Sequence, residues 1–169
     1  MTAPDKTLLT VDDLRVRFPT RTGMVEAVRG VSFTLGRERL GIVGESGSGK
    51  SQTGRAIMGL TPSQAQVTAR TLRFGDRDLL TMPAKDRRML RGKRLAMILQ
   101  DPKYSLNPVM TIGRQIVETL KTHESIGRSE ARTRVLAMLE AVQISDPERV
   151  FDLYPHEVSG GMGQRAMIA

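Results

Sequence analysis

The strongest constraint on the fold is a glycine-rich segment, GESGSGKS at residues 44–51, which directly follows the apolar run LGIV at residues 40–43. An apolar run without polar alternation is typical of a parallel strand that is covered on both faces. The residues after the glycine-rich segment favour a helix that ends near Gly59, because glycine commonly follows the last helical turn. We therefore predict a β-loop-α unit and, with it, an α/β fold.

The same segment fills every fixed position of the P-loop pattern. Its glycines let successive backbone N–H groups point inward at phosphates, and the positive end of the following helix dipole is aimed at the same place. In this pattern Lys50 reaches the β- and γ-phosphates, while the hydroxyl of Ser51 holds Mg²⁺. A flexible linker is the alternative, but linkers do not place Lys-Ser between a strand and a helix. The segment predicts a site for a nucleoside triphosphate.

Composition narrows the class of protein further. The 169 residues, 39% of them hydrophobic, are enough for one sizeable core or two small subdomains. The chain has no cysteine, which excludes disulfides, thiolate metal sites and iron–sulfur clusters. No apolar run approaches the roughly 18 residues of a membrane span, and the first ten residues lack the apolar core of a signal peptide. We expect a folded protein that is soluble by itself.

The formal net charge is +8, and the densest basic block is KDRRMLRGKR at residues 85–94. The simplest interpretation of this block is a solvated helix face. A contact to acidic lipid headgroups or to a membrane partner is the second interpretation. Nucleic acid is the third and least favoured interpretation. Proteins that bind single strands usually interleave stacking aromatic residues with basic ones, and only Tyr104 is near this block.

Alternating apolar residues predict a small antiparallel sheet at the start of the chain. One strand is expected over residues 8–18 and a second over residues 25–35, with a breaker cluster at residues 19–23 between them. Residues 71–74 are expected to return to this sheet. Residues 95–99 predict another buried strand.

The later part of the chain has helical periodicity. Residues 113–123 place Ile116, Val117 and Leu120 on one face, and Ser129 is a candidate N-cap for a second helix. The second helix is expected to bury apolar residues at Val135, Leu136, Leu139 and Val142. Together they predict a helical subdomain.

A second motif lies about 110 residues after the P-loop. The sequence SGGMGQR at residues 159–165, preceded by YPHE at residues 154–157, resembles the signature motif of ATP-binding cassette (ABC) proteins. The resemblance implies that Ser159, Gly160 and Gly161 lie at a helix start and contact the γ-phosphate of ATP held by the P-loop of an opposite subunit. An ordinary turn is the alternative for an isolated Ser-Gly-Gly, but the position after this P-loop argues against it.

A third motif narrows the resemblance to one branch. QDP at residues 100–102 and SLNP at residues 105–108 resemble the Q-loop of the peptide and nickel importer ATPases. This implies that Gln100 touches Mg²⁺ and the attacking water, and that its loop joins the nucleotide core to the helical subdomain. A Walker B strand ending in Asp101 is the competing interpretation, which the intervening Gln100 disfavours. Phe18 matches the family's adenine-stacking aromatic; a plain core or edge-strand Phe is the alternative.

The motif matches yield a set of candidate site residues. We assign no catalytic residue, and Ser51 and Gln100 are the candidate Mg²⁺ ligands. The candidate ATP-binding residues are Phe18, Gly44, Glu45, Ser46, Gly47, Ser48, Gly49, Lys50, Ser51, Gln52, Gln100, Ser159, Gly160 and Gly161.

The chain also departs from the family pattern. Gly163 stands where this branch usually has Arg, and Val158 where it usually has Leu, so we expect a weakened signature. The sequence ends at Ala169, before the family's Walker B strand, catalytic Glu and switch His. We therefore expect a truncated subunit of an ABC-type ATPase that binds nucleotide but is inactive alone.

The resemblance implies a P-loop (RecA-like) parallel-sheet core with a small antiparallel β subdomain and an inserted helical subdomain, incomplete at the C-terminus. We predict that residues 1–99 form the β subdomain and the P-loop core. Residues 100–169 are predicted to form the Q-loop, the helical subdomain and the start of the signature helix.

The function implied by the resemblance is that of an ATP-binding subunit of an importer for peptides or a related solute such as nickel. Its partners would be a second ATPase subunit, transmembrane permease subunits and, indirectly, a solute-binding protein, with no nucleic acid. It would lie peripherally at the cytoplasmic face of the inner membrane. The alternatives are a soluble ABC-type ATPase acting on nucleic acid or ribosomes, and a catalytically dead nucleotide-binding fragment.

Overall fold

The computed structural model describes residues 7–99 and 105–169. The chain divides into two compact units, Met1–Arg91 and Gly92–Ala169. The first combines a β-sheet with two helices and the second is helical. The functional division between residues 99 and 100 stays a prediction.

An antiparallel sheet dominates the first unit. It is built on a long hairpin, and the strand order is β2-β1-β4-β5, with β3 also paired to β1. All pairings among the described strands are antiparallel, which confirms the small sheet predicted from the alternating pattern. The strands are β1 (Leu9–Thr20), β2 (Gly23–Leu35), β3 (Gln66–Thr68), β4 (Thr71–Phe74) and β5 (Arg77–Asp78).

A β-bulge explains the irregular apolar spacing of β1. The register shifts between Val11 and Leu14, and Asp13 has a positive φ of 50°. The backbone N–H of Asp13 donates to the Ser32 hydroxyl at 2.9 Å instead of to the strand ladder. The extra residues restore alternation, so Val11, Leu14 and Val16 are all buried on one face.

Two helices accompany this sheet. Helix α1 (Lys50–Met58) follows the glycine-rich segment and ends at Gly59, whose φ is 64°, as predicted. Helix α2 (Ala84–Leu90) lies within the basic block. The buried residues of the first unit come from both the sheet and α1, and they include Val28, Ala56, Met58, Leu72 and Leu79.

The two buried strands predicted from apolar runs, at residues 40–43 and 95–99, are not formed in the described residues. Leu95 forms only an isolated bridge, and residues 40–43 and 96–99 belong to no strand. Val43 is 96% exposed, and Leu40 and Ile42 are about half exposed. A parallel strand needs a neighbour on each side to satisfy its backbone groups, and no described segment pairs with these residues.

The described part of the second unit has four α-helices and a 3₁₀ turn around one apolar core. Helix α4 begins at Arg128 after Gly127 and has no side-chain cap, so the prediction that Ser129 is its N-cap was wrong. The helices are α3 (Ile112–His123), α4 (Arg128–Ala141), α5 (Pro147–Asp152), a 3₁₀ turn (Pro155–Glu157) and α6 (Gly160–Ile168). Their shared core contains Ile112, Ile116, Val135, Leu139, Ile144, Val150 and Ala166.

Candidate nucleotide-binding site

The glycine-rich segment forms a tight loop whose shape depends on two glycines. Gly47 and Gly49 have φ values of 81° and 91°, a region that residues with a Cβ rarely adopt. A Cβ at Gly49 would also overlap the carbonyl oxygen of Ala27 in β2. Gly49 is therefore needed for two reasons: its φ angle disfavours other residues, and β2 leaves no room for a Cβ.

Lys50 is the first residue of α1, and its ammonium group is held inside the loop. Its Nζ atom donates to the carbonyl oxygens of Gly44 at 2.7 Å and Glu45 at 2.6 Å, and lies 3.4 Å from the Ser48 hydroxyl. Within the described chain, no carboxylate forms an ion pair with it. The positive charge is thus concentrated in the loop and available to an anion.

The start of α1 is also suited to an anion. Gly49 provides no side-chain cap, and the first turn contains no acidic residue. The amide and hydroxyl of the buried Thr53 both donate to the Gly49 carbonyl, at 2.9 and 3.1 Å. The earlier amides of the helix meet no side-chain acceptor, and they carry the positive end of the dipole. Ser51 is exposed at this end, as a metal-facing hydroxyl requires.

Gln52 adds a buried acceptor to the first turn. Its Oε1 atom is buried and has no hydrogen-bond partner among the residues that the structure describes. Buried polar atoms are normally paired, so this atom fits a site whose donor arrives with the ligand, such as metal-bound water.

A cavity of about 410 Å³ separates the loop from β2. It is lined by Gly47 and Ser48 on one side and by strand residues including Glu26, Ala27 and Val28 on the other. Its volume falls within the usual range for small-molecule sites, about 300–1,000 Å³. The loop residues Glu45 and Ser46 are exposed.

Phe18 belongs to the same hairpin but does not line this cavity. It is half-buried in β1 and pairs with Val25 across the ribbon. The structure therefore places the candidate aromatic on the ribbon that supports the loop. Gln100, the other predicted Mg²⁺ contact, lies outside the described residues.

The predicted signature residues do lie at a helix start. The Ser159 hydroxyl accepts a hydrogen bond from the backbone N–H of Met162 at 3.3 Å, which caps α6. Outside their own helix backbone and chain neighbours, no described atom lies within 4 Å of a Cβ placed at Gly160 or Gly161, so both glycines face open space in the described part of the chain. Gly163 is buried within α6.

A second cavity, of about 420 Å³, adjoins the signature segment. It is lined by Leu106 and Pro108 from the loop after residue 104, and by His156, Val158 and Ser159 among others. The described part of the predicted Q-loop and the signature therefore share one surface of the second unit.

Gln115 fixes the loop at this surface, a role that sequence reasoning missed. Its Oε1 accepts from the Asn107 amide at 2.8 Å, and its Nε2 donates to the carbonyl oxygens of Asn107 and Met110 at 3.0 and 2.9 Å. Sequence reasoning also missed Ala27, which touches the P-loop through its backbone. No local pattern signals either contact, because both are made with residues in other elements.

Comparison with known sequences places these motifs in a family. The family described as "ABC transporter" matches residues 28–169. The dipeptide transport ATP-binding protein DppD of Haemophilus influenzae is 49% identical over 163 residues, which cover 96% of this chain and 49% of that protein. The oligopeptide transport ATP-binding protein OppD of Salmonella typhimurium is 46% identical over 167 residues, 98% of this chain and 50% of that protein. The chain spans about half the length of these curated relatives.

Comparison with solved structures agrees on the fold. A dimeric bacterial ABC transporter cassette superposes with a TM-score of 0.70 and 20% identity, covering 95% of this chain and 67% of that one. A post-hydrolysis state of such a cassette, bound to ADP and Pi, gives a TM-score of 0.69 and 21% identity with the same coverage. These matches confirm the α/β cassette fold. With a P-loop ahead of an uncapped helix, a signature segment at a second helix start and a family match over most of its length, the chain belongs to the ABC transporter family.

Proposed function

We propose that this chain forms the Mg·ATP-binding part of an ATP-binding subunit that drives peptide import. The observation that carries the proposal is the closed loop of residues 44–49, with the Lys50 ammonium held inside it at the start of an uncapped helix. Its similarity to dipeptide and oligopeptide transport ATP-binding proteins supports peptides as the solute class.

In this proposal the loop amides and Lys50 bind the β- and γ-phosphates, and Phe18 contacts the adenine. Ser51 and Gln100 contribute neutral oxygen ligands to Mg²⁺, and the phosphates supply the negative charge that balances the cation. The described residues contain no group of three or more His, Cys, Asp or Glu side chains able to hold a metal. Mg²⁺ in this proposal is bound together with the nucleotide phosphates.

The partners in this proposal are a second ATPase subunit and the permease. The open space at Gly160 and Gly161 supports contact of the signature with a nucleotide on another subunit. The cavity between Leu106 and Val158 is a candidate surface for a permease segment. In the described residues, no helix combines the length and apolarity needed to span a bilayer. We propose a peripheral position at the cytoplasmic face of the membrane, with a solute-binding protein as an indirect partner.

Lys50→Ala tests the proposed site. We expect the variant to bind Mg·ATP more weakly by about 1.5 kcal/mol or more, roughly tenfold in Kd, because a charge-assisted phosphate contact is lost. Titration calorimetry on folded protein measures the difference. Lys85→Ala, which removes an exposed lysine from α2, is the matched control and should bind as the wild type does. Equal affinities of Lys50→Ala and wild type would contradict the assignment of Lys50.

A further inference from the structure

Arg87 in α2 and Arg91, the residue that directly follows α2, contact the C-terminal end of the P-loop helix. Arg87 Nη2 lies 2.9 Å from the carbonyl oxygen of Ala56 and 3.4 Å from that of Ile57. Arg91 Nη1 lies 3.2 Å from the carbonyl oxygens of both Met58 and Gly59. Two cations of the basic block, predicted as a solvated face, therefore donate to carbonyl groups in the last turn of α1. The Ala56 carbonyl also accepts from the Gly59 amide, so Arg87 adds a second donor there.

The fit between Arg87 and the helix end is close. Arg87 is half-buried, and a Cβ at Gly59 would lie 2.5 Å from its Nε and 2.7 Å from its Cζ. Burial, followed by the neighbouring charge of Arg91, lowers the pKa of Arg87. Both effects disfavour the charged form of Arg87. The negative end of the helix dipole, which both arginines face, offsets part of this cost.

The helix that they hold is short. Helix α1 has nine residues, about 14 Å of rise, and helices of this length are marginally stable without tertiary contacts. The opposite end of the same helix carries Lys50 and Ser51. If the C-terminal end of so short a helix is not held, the whole helix can tilt. A tilt changes the direction in which the amides and side chains at the phosphate end point.

We propose that Arg87 and Arg91 are positioning residues for nucleotide binding, which hold the P-loop helix in its binding-competent conformation through its C-terminal carbonyls. This inference rests on the proposed Mg·ATP site. If α1 is competent in only a fraction of molecules, the apparent Kd rises in inverse proportion to that fraction. By thermodynamic reciprocity, Mg·ATP must in turn stabilise the contact between α2 and α1.

The test compares Arg87→Met with Arg88→Met in the 169-residue chain. Both variants remove one arginine from α2, but Arg88 is exposed, and the side-chain hydrogen bonds to the end of α1 among the described residues come from Arg87 and Arg91. We expect Arg87→Met to raise the Kd for Mg·ATP about fivefold or more and Arg88→Met to leave it within about twofold. Arg87→Lys should recover part of the affinity, because it keeps the charge but not the forked donors.

Hydrogen exchange provides the readout that a purely structural role would not change. The amides of Gly59 and Leu60 close the end of α1 by donating to Ala56 and Arg55. Mg·ATP should slow their exchange in all three proteins. At the same Mg·ATP concentration these amides should still exchange faster in Arg87→Met than in wild type or Arg88→Met, because fewer molecules hold the helix end closed. Arg91→Met, which leaves the half-buried Arg87 in place, serves as the second variant if Arg87→Met does not fold.

The outcomes separate this inference from the proposed function. If the wild type binds Mg·ATP, and folded Arg87→Met and Arg91→Met bind it with the same Kd, the positioning role is overturned and the proposed function stands. Reduced thermal stability with unchanged affinity and unchanged ATP-dependent exchange would also overturn it. Absence of Mg·ATP binding by the folded wild type would overturn the proposed function and, with it, this inference.

Discussion

At the scale of single residues, Glu26 joins two arginines of the β-ribbon at the cavity between the P-loop and β2. Its Oε1 accepts from Arg17 Nε at 3.0 Å and from Arg15 Nη1 at 3.4 Å, and the residue lines that cavity. A free carboxylate close to the candidate nucleotide site would repel an anionic ligand. The two arginines compensate this charge, and the hydrogen bond from Arg17 is the main cause of the lowered pKa of Glu26.

A pH dependence follows from Glu26. Because its pKa is lower in the folded protein than the ordinary value of 4.5, its contribution to stability is present above pH 4.5 and is lost as the pH falls through the folded-state pKa. We expect Glu26→Gln to be less stable than wild type at pH 7 and to lose less unfolding free energy between pH 5 and about pH 3. Urea denaturation across this range measures both effects.

Glu118→Gln supplies the control for this pH series. Glu118 is exposed on α3 and forms no ion pair with a described residue. Parallel stability curves for Glu26→Gln and wild type over the acid range would contradict the role given to Glu26.

At the scale of elements, a glycine sets the approach of two helices in the second unit. Gly113 lies near the start of α3, and a Cβ there would overlap the ring of Phe151 in α5. The amide of the preceding residue, Ile112, donates to the Leu153 carbonyl at 2.9 Å. This hydrogen bond joins the start of α3 to the segment after α5. The backbone of α3 therefore packs directly against an aromatic ring, and its apolar residues reach the shared core.

Packing and helix propensity oppose each other at Gly113. Alanine is favoured over glycine in a helix by about 1 kcal/mol. We nevertheless expect Gly113→Ala to destabilise the protein by about 1–3 kcal/mol, because overpacking against Phe151 exceeds the gain in propensity. Gly161→Ala is the matched control, since its Cβ meets open space, and it should be neutral or slightly stabilising. Chemical denaturation measures the stability of both variants. If Gly113→Ala were more stable than wild type, α3 and the Phe151 ring would not be in direct contact.

At the scale of the whole molecule, the segment at residues 40–43 is apolar and exposed, and it pairs with no described strand. Its apolar side chains and unpaired backbone lie together, with Ile42 49% and Val43 96% exposed. Such a segment is a template for pairing with another strand. The formal charge of +8 opposes association but is not concentrated on these residues.

We expect the 169-residue chain to associate at micromolar concentrations through this segment. Ile42→Lys should shift the population towards monomer, because a charged side chain interrupts the apolar run and adds like-charge repulsion. Sedimentation velocity over a concentration series measures the change. Val109→Lys adds the same charge at a single apolar residue that is 78% exposed in a loop, and it should have little effect. A monomeric wild type, or equal effects of the two substitutions, would contradict this prediction.

The sequence by itself determined the elements and motifs whose signals are local. Apolar alternation predicted β1, β2 and β4, and helical spacing predicted α3 and α4. Gly59 predicted the end of α1, and the motif at residue 159 predicted the start of α6. These signals suffice because period, capping and glycine φ angles act within a few residues of the chain.

Only the tertiary structure decided which local possibilities were realised. Residues 40–43 read as a buried strand, yet a strand forms only where a distant segment supplies the partner hydrogen bonds, and no described segment does. The contact of Gly49 with Ala27 and that of Arg87 with Ala56 join residues far apart in sequence, so no local pattern predicts them. The sequence therefore identified candidate phosphate-binding residues, whereas the support of the loop and of its helix depends on side-chain and backbone contacts that exist only after folding.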